Sequence, residues 1–376
     1  MNNFRGKDLR GIDTTSTEVA ECYYDSDTQW PIGFNAMLQG ALFIGPDAVL
    51  FSKNLSSTNL QNANLCRADL GGANLKHANL SGALLQQANF READLRFADL
   101  SNANLSKANL GEADLRHANL QGACLQDSDL SESNLTSVDL SQVNLHGAVL
   151  YDTILHKANL RKVDLTQSHL SGTELQEADL QGMDLRSVNL ECVNLSHANL
   201  RSVNLFQSNV SNTDLHHVDL SHANLGAADL RKAELIAANL TETNLERANL
   251  SEGTILHKAK ICRSNLSEAN LSGCVLTQAH ITEANMQNVD LRKAQLANAQ
   301  IHRTDLSAAN LSGANLKQAL LVGVDLTGAV LCGADFTGAT FEDSKLNGAQ
   351  YDAHTIWPTG LVVKNLAVTF VASNPV

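Results

Sequence analysis

The sequence predicts an all-β solenoid of about 15 coils, each of about 20 residues, from three observations. First, an apolar residue stands at every fifth position from Leu55 to Leu250, with Phe90 and Val210 the only variants. After a one-residue slip at Ser251 to Ile255, the series resumes at Leu256 and runs to Leu346, giving about 59 repeats in all. Second, the residue two before each of these is small, as at Ala63, Ala68, Ala73 and Ala78. Third, aromatic residues make up 4% of the chain, and twelve of the sixteen lie before residue 52 or after residue 335, so the long middle must build its core from Leu and Ala.

Five is the wrong period for a helix or a flat strand. At about 100° per residue, every fifth helical position advances by roughly 140° and the leucines would scatter around the cylinder. On a strand the faces alternate with period two, so successive leucines would point opposite ways. A corner after every five residues brings them all to a common axis. Four corners of about 90° close a coil, and coils stack at the β spacing of about 4.8 Å. The residue before each Leu is mostly Asn or Asp, which suits tight turns and local backbone hydrogen bonds. The two residues after it are Gly, Ser, Gln, Lys, Arg, Glu or His, as exposed corners should be.

In chain order, residues 1–14 (FRGKDLRGID) are a repeat-like start, and residues 15–45 read as a non-repeat excursion near the N-terminal end. Residues 46–350 form the repeat region, with the slip near 251–255 as a local bulge. Residues 351–376 are a C-terminal cap and apolar tail. The segments YDSDTQWPIGF (Tyr24 to Phe34) and YDAHTIWPTGL (Tyr351 to Leu361) share the pattern Y-D-x-x-T-x-W-P-x-G-[FL] and hold both tryptophans of the chain. An open solenoid end exposes ladder edges and an apolar cross-section. Tyr24, Trp30, Pro31 and Phe34 at one end, and Tyr351, Trp357, Pro358 and Leu361 at the other, are therefore candidate caps. Proline cannot donate to a ladder, and the rings supply apolar area. A partner-binding role for the same elements, or a homodimer through one of them, is the alternative.

Tandem A[DN]Lxx, as in ANLCRADLGGANLKHANL, resembles the pentapeptide-repeat family over about 80% of the chain. The resemblance implies a right-handed quadrilateral β-helix. The YDxxTxWPxGF element is similar to one found in cyanobacterial members. Some members of the family resemble B-DNA in width and charge and act on topoisomerases.

The net charge of −13 is unevenly spread. Basic against acidic residues number 3 to 7 in 1–50, 7 to 10 in 51–150, 8 to 14 in 151–255 and 9 to 9 thereafter. Interleaved Lys and Arg argue against a continuous anionic face and against direct nucleic-acid binding. Seven scattered cysteines without CxxC spacing suggest a reduced compartment, with Cys66, Cys262 and Cys332 as outward free thiols. The N-terminus lacks an apolar leader and no run approaches a membrane span, so the expected location is the cytoplasm.

No catalytic, cofactor-binding or metal motif is present in the sequence. His197 and His217, 20 residues apart with His216 beside the second, should stack on neighbouring coils; they read first as solvated corner imidazoles and second as a metal pair lacking a third ligand. Phe97 and Phe206 occupy positions that are otherwise polar, as ordinary surface aromatics or as contact hot spots. The function expected is a non-catalytic, protein-binding scaffold of unknown partner. The alternatives are a DNA mimic that inhibits or protects a type II topoisomerase and, more remotely, an enzyme.

Overall fold

The computed structural model describes residues 2–13, 15, 17, 19–20, 22–165, 167–361 and 367–372. The chain is a parallel β-solenoid of about 17 turns. The count exceeds 15 because residues outside the five-residue series also pair into coils. There are two compact units, Met1–Thr173 and Glu174–Val376, and both repeat one rung.

Leu75 shows how the rung is made. Its N–H donates to the Asp94 carbonyl at 2.8 Å, and the Asp94 N–H donates back to the Ala73 carbonyl at 3.0 Å. These bonds form the parallel bridge Asn74↔Asp94. The Ala78 N–H closes the corner on the Leu75 carbonyl at 2.9 Å, and the His77 N–H donates to the Arg96 carbonyl of the next coil at 3.0 Å. The corner residue, two after the Leu, has positive φ at most stations, as at His77 (59°) and Phe97 (59°), Gln142 being an exception. Side chains other than Gly tolerate this conformation at some cost, which the ladder bonds on either side offset.

The recurrent Asn and Asp have two tasks. Each carboxylate or amide oxygen accepts the N–H two residues on, as Asn74 Oδ1 does from Lys76 at 3.2 Å. Amides also donate up the stack, as Asn89 Nδ2 does to Asp69 Oδ1 at 2.9 Å. The Leu at each station is buried, and so, at most stations, is the small residue two before it; Ser168, Val188 and Ser344 are half-buried. Each buried Leu is worth roughly 1.5–3 kcal/mol. Where a hydroxyl replaces Ala it is satisfied within the stack: Thr213 Oγ1 donates to the Leu190 carbonyl at 2.9 Å.

In the first unit, β1 (Tyr23–Tyr24) pairs in parallel with β2 (Leu42–Phe43), and Asn3 and Asp8 bridge to Tyr23 and Gln29. The segment expected as an excursion thus contributes rungs of its own. Val19, Cys22, Ala36 and Ala41 form its core, with Phe4, Tyr24, Trp30 and Phe34 packed against them. In the second unit one side carries three-residue strands: β3 (Lys260–Cys262), β4 (His280–Thr282), β5 (Gln300–His302), β6 (Leu320–Val322) and β7 (Thr340–Glu342). Ile261, Ile281 and Ile301 stand at their centres, where β-branched residues suit a pleated surface. Last, β8 (Gln350–Tyr351) pairs with β9 (Thr369–Phe370). No α-helix occurs among the described residues, and no helix is long and apolar enough to cross a membrane.

At the slip, Glu234 bridges Ile255 and Asn239 bridges Lys260, each 21 residues on instead of 20. The extra residue sits in the corner at Gly253, whose φ of 90° suits glycine.

Candidate functional site

The repeated end segments are built alike, atom for atom. The Phe4 N–H donates to the Tyr23 carbonyl and the Leu9 N–H to the Gln29 carbonyl; the Leu331 and Phe336 N–H groups do the same with Gln350 and Ile356. By this pairing Tyr24 and Trp30, and likewise Tyr351 and Trp357, take two successive inward stations six residues apart. The ordinary step is five. Y-D-x-x-T-x-W is thus a six-residue corner, as is the slip between Leu250 and Leu256.

Its polar residues fill the longer corner. Asp25 Oδ1 accepts the Gly6 N–H at 2.8 Å and the Asp27 N–H at 3.2 Å. Asp352 Oδ1 accepts the Gly333 N–H at 2.8 Å and the His354 N–H at 3.0 Å. The Thr28 hydroxyl accepts the Asp25 N–H and reaches the Phe4 carbonyl at 2.9 Å; the Thr355 hydroxyl repeats this with Asp352 and the Leu331 carbonyl, also 2.9 Å. Gly33 and Gly360, at φ of 82° and 91°, close the turn after each Trp-Pro. The Phe34 and Leu361 N–H groups donate to the Pro31 and Pro358 carbonyls. Trp30 lies against Phe4, Tyr24 and Phe34. Trp357 stacks on Phe336 at 5.4 Å and 10°. Both indole N–H groups are buried without an acceptor.

Burial pushes the Asp352 carboxyl up, but the donors from Gly333, His354 and Thr355 outweigh it and hold it below its ordinary range. A carboxyl lowered in the folded state contributes stability that is present above its unfolded pKa, about 3.9, and lost as pH falls through the folded value. We expect the melting-temperature difference between wild type and Asp352→Asn to be widest above pH 5 and to shrink towards pH 3. A pH-independent difference would refute this role for the carboxylate.

The candidate contact residues fall into three groups. Phe97, 45% exposed, is held between His77 and His117, with ring centroids at 4.9 and 4.8 Å and planes within 16°. Lys76 Nζ lies 5.8 Å from the Phe97 centroid. On the same row Arg96 and Arg116 make paired hydrogen bonds to Asp94 and Asp114. The Arg96 guanidinium outweighs burial to hold the Asp94 carboxyl below its usual range. For Asp114 burial acts upward, but Arg116 and Arg96 leave it lowered.

His197 and His217 stack at 4.9 Å and 12°. His216 instead meets Asp214 through Nδ1 at 2.5 Å and Glu234 through Nε2 at 3.5 Å. No group of three or more His, Cys, Asp or Glu placed to hold a metal occurs among the described residues. Phe206, 38% exposed, lies over Gly226, where an added Cβ would sit 3.1 Å from the ring. The structure brings Phe97 together with His77 and His117, which sequence reasoning had not singled out; their spacing of 20 residues on either side was the available signal. All seven cysteines are free, and burial pushes the Cys274 thiol up.

A family model described as pentapeptide repeats, in eight copies, matches segments running from residue 54 to 348. No curated protein matches. Among solved structures, HetL, a pentapeptide repeat protein involved in heterocyst differentiation regulation from the cyanobacterium Nostoc sp. strain PCC 7120, is 29% identical. That match covers 79% of this chain and 89% of HetL, with a TM-score of 0.29. A pentapeptide repeat protein (Rfr23) from the cyanobacterium Cyanothece 51142 is 33% identical over 33% of this chain and 90% of its own, with a TM-score of 0.17. QnrB1, a plasmid-mediated fluoroquinolone resistance protein, is 16% identical over 54% of this chain and 84% of its own, with a TM-score of 0.24. With A[DN]Lxx recurring through the matched residues and each repeat supplying one rung, the chain belongs to the pentapeptide-repeat family.

Proposed function

We propose that the chain is a non-catalytic scaffold that binds a protein partner through the row centred on Phe97. The observation that carries this reading is an exposed phenyl ring clamped between two imidazoles, with Lys76 over it and Arg96 and Arg116 alongside. A ring already fixed loses little freedom on binding, and aromatic and Arg side chains dominate interface energetics. Asp94 and Asp114 hold the guanidiniums in one orientation, which adds to the preorganisation. The six-residue corners with Trp30 and Trp357 serve, in this reading, to close the apolar column near either end.

The DNA-mimic reading has less support. Arg96, Arg116, Arg231 and Arg292 each cover a carboxylate of their own row, which breaks up the anionic surface a mimic needs. A supercoiling assay with a type II topoisomerase should show no inhibition at micromolar protein.

The test of the scaffold reading is a quantitative pull-down from native cytosol with wild type, Phe97→Ser and Phe206→Ser, retained proteins being identified by mass spectrometry. We expect a partner whose recovery falls about tenfold or more with Phe97→Ser, a loss of about 1.4 kcal/mol or more, and is kept by Phe206→Ser. Equal recovery by all three would refute the Phe97 row as the docking surface.

A further inference from the structure

We propose that the face carrying the Phe97 row is self-complementary, and that the partner it takes is a second copy of this chain, rung against rung with both stacks running the same way. The inference rests on the scaffold reading of that row, and the surface is distinct from the end segments. In one coil of the first unit the chain runs Glu92-Ala93-Asp94-Leu95-Arg96-Phe97, with Ala93 and Leu95 buried. Glu92 and Phe97 stand at the two corners, both with positive φ, and Asp94 and Arg96 point outward between them. The bridges Asn74↔Asp94, Asp94↔Asp114, Asp114↔Asn134 and Asn134↔Ile154 stack five such rungs in register.

Stacking sorts the face into columns of different charge. One corner carries Glu92, Glu112, Glu132 and Asp152, and the other His77, Phe97, His117 and Lys157. Asp94 and Asp114 lie next to the acidic corner, and Lys76, Arg96 and Arg116 next to the aromatic one. Successive members of a column are about 4.8 Å apart, close enough for like charges to repel. Arg91, on the adjoining face, pairs with Glu92 and Glu112, but the acidic corner continues past them.

A copy can be laid on this face with two-fold symmetry in two ways. An axis along the strands sets each column on itself, cation on cation at Arg96 and Arg116 and carboxylate on carboxylate at Asp94 and Asp114. An axis along the stack sets each rung on its counterpart, reversed left to right. Asp94 then meets the copy's Arg96, Asp114 its Arg116, Glu112 its His117 and Asp152 its Lys157. Phe97 meets the copy's Glu92. Its faces are taken by His77 and His117, so it offers its edge, the electropositive part of the ring. No like charges meet across the five rungs. They make roughly 20 Å of face, at the small end for a stable interface, and exposed ion pairs are individually weak. The copy is therefore held reversibly.

The experiment is sedimentation velocity of the full chain from about 2 to about 200 µM, in about 0.05 M and about 0.5 M salt. We expect single chains at the low end, pairs at the high end in low salt, and association at least about tenfold weaker in high salt. A chain with Arg96→Glu and Arg116→Glu, and one with Asp94→Arg and Asp114→Arg, should each stay single, because the facing columns then share one sign. Mixed one to one, the two should pair again, since each supplies the charge the other faces. Arg96→Gln with Arg116→Gln, which adds no repulsion within the coil, should weaken pairing by about tenfold and serves where a reversed chain fails to fold. The proposal is overturned if the wild type stays single at about 200 µM, if salt leaves the association unchanged, or if the folded reversed chains do not pair when mixed. A wild type that stays single while Phe97→Ser still loses a protein in the pull-down would remove the copy as partner and leave the scaffold reading standing.

Discussion

Deleting Gly253 leaves the protein folded and within about 1 kcal/mol of wild type, whereas deleting Gly72 costs at least about 3 kcal/mol, the scale of large core losses. Both are glycines of positive φ in a corner, so local backbone freedom predicts no such difference. Register does. Without Gly253 the step from Leu250 to Leu256 shortens from six residues to five, and Thr254, already a buried small-residue station like Thr243, keeps its place two before Leu256. Without Gly72 the step from Leu70 to Leu75 shortens to four, which cannot close a corner with both leucines inside. Either Leu75 turns outward or the bridges from Asn74 and Asn79 to the next coil are lost. Chemical denaturation with tryptophan and far-UV detection compares the two variants; equal stability would refute the five-residue rung.

Replacing Phe336 by Ala lowers stability by about 3–5 kcal/mol, the range for a fully buried phenylalanine. Phe336 is buried, with Trp357 stacked on it and Phe341 at 5.3 Å. Its loss opens a void under Trp357 that the corner at Asp352 and Thr355, pinned by hydrogen bonds to the previous coil, cannot collapse to fill. The loss should be local. Coils stack as nearest neighbours, so amides near Phe336 should lose protection first, while those around Leu75 keep theirs. Fluorescence of Trp357 should shift to longer wavelength in the variant. A fully two-state melt shifted by less than 1 °C would contradict the account.

Much of the rung was legible because it rests on local rules applied many times over. A period of five excludes helix and flat strand whatever the tertiary context, and small residues two before each Leu identify the inner face. The coupling of Asn89 to Asp69 was not legible in the same way, since a residue that suits a turn does not reveal a second bond to the coil beside it. The end segments were read as bulky caps from their Trp and Pro. Their corner geometry follows from comparing the step Tyr24 to Trp30 with Leu250 to Leu256, both of six residues. His77 and His117 became visible beside Phe97 only when residues 20 apart were placed in register.

The central claim is the rung itself, and amide exchange along the second unit tests it most directly. The account predicts slow exchange at each inward station, where Leu230, Leu235, Leu240, Leu245 and Leu250 donate to the next coil, and faster exchange at the residue after each, such as Glu246, whose N–H meets only an Asn side chain. The five-residue rhythm should then advance by one residue at Gly253 and resume at Leu256, Leu266, Leu271 and Leu276. Protection alternating with period two, or a rhythm that passes Gly253 without that shift, would contradict it.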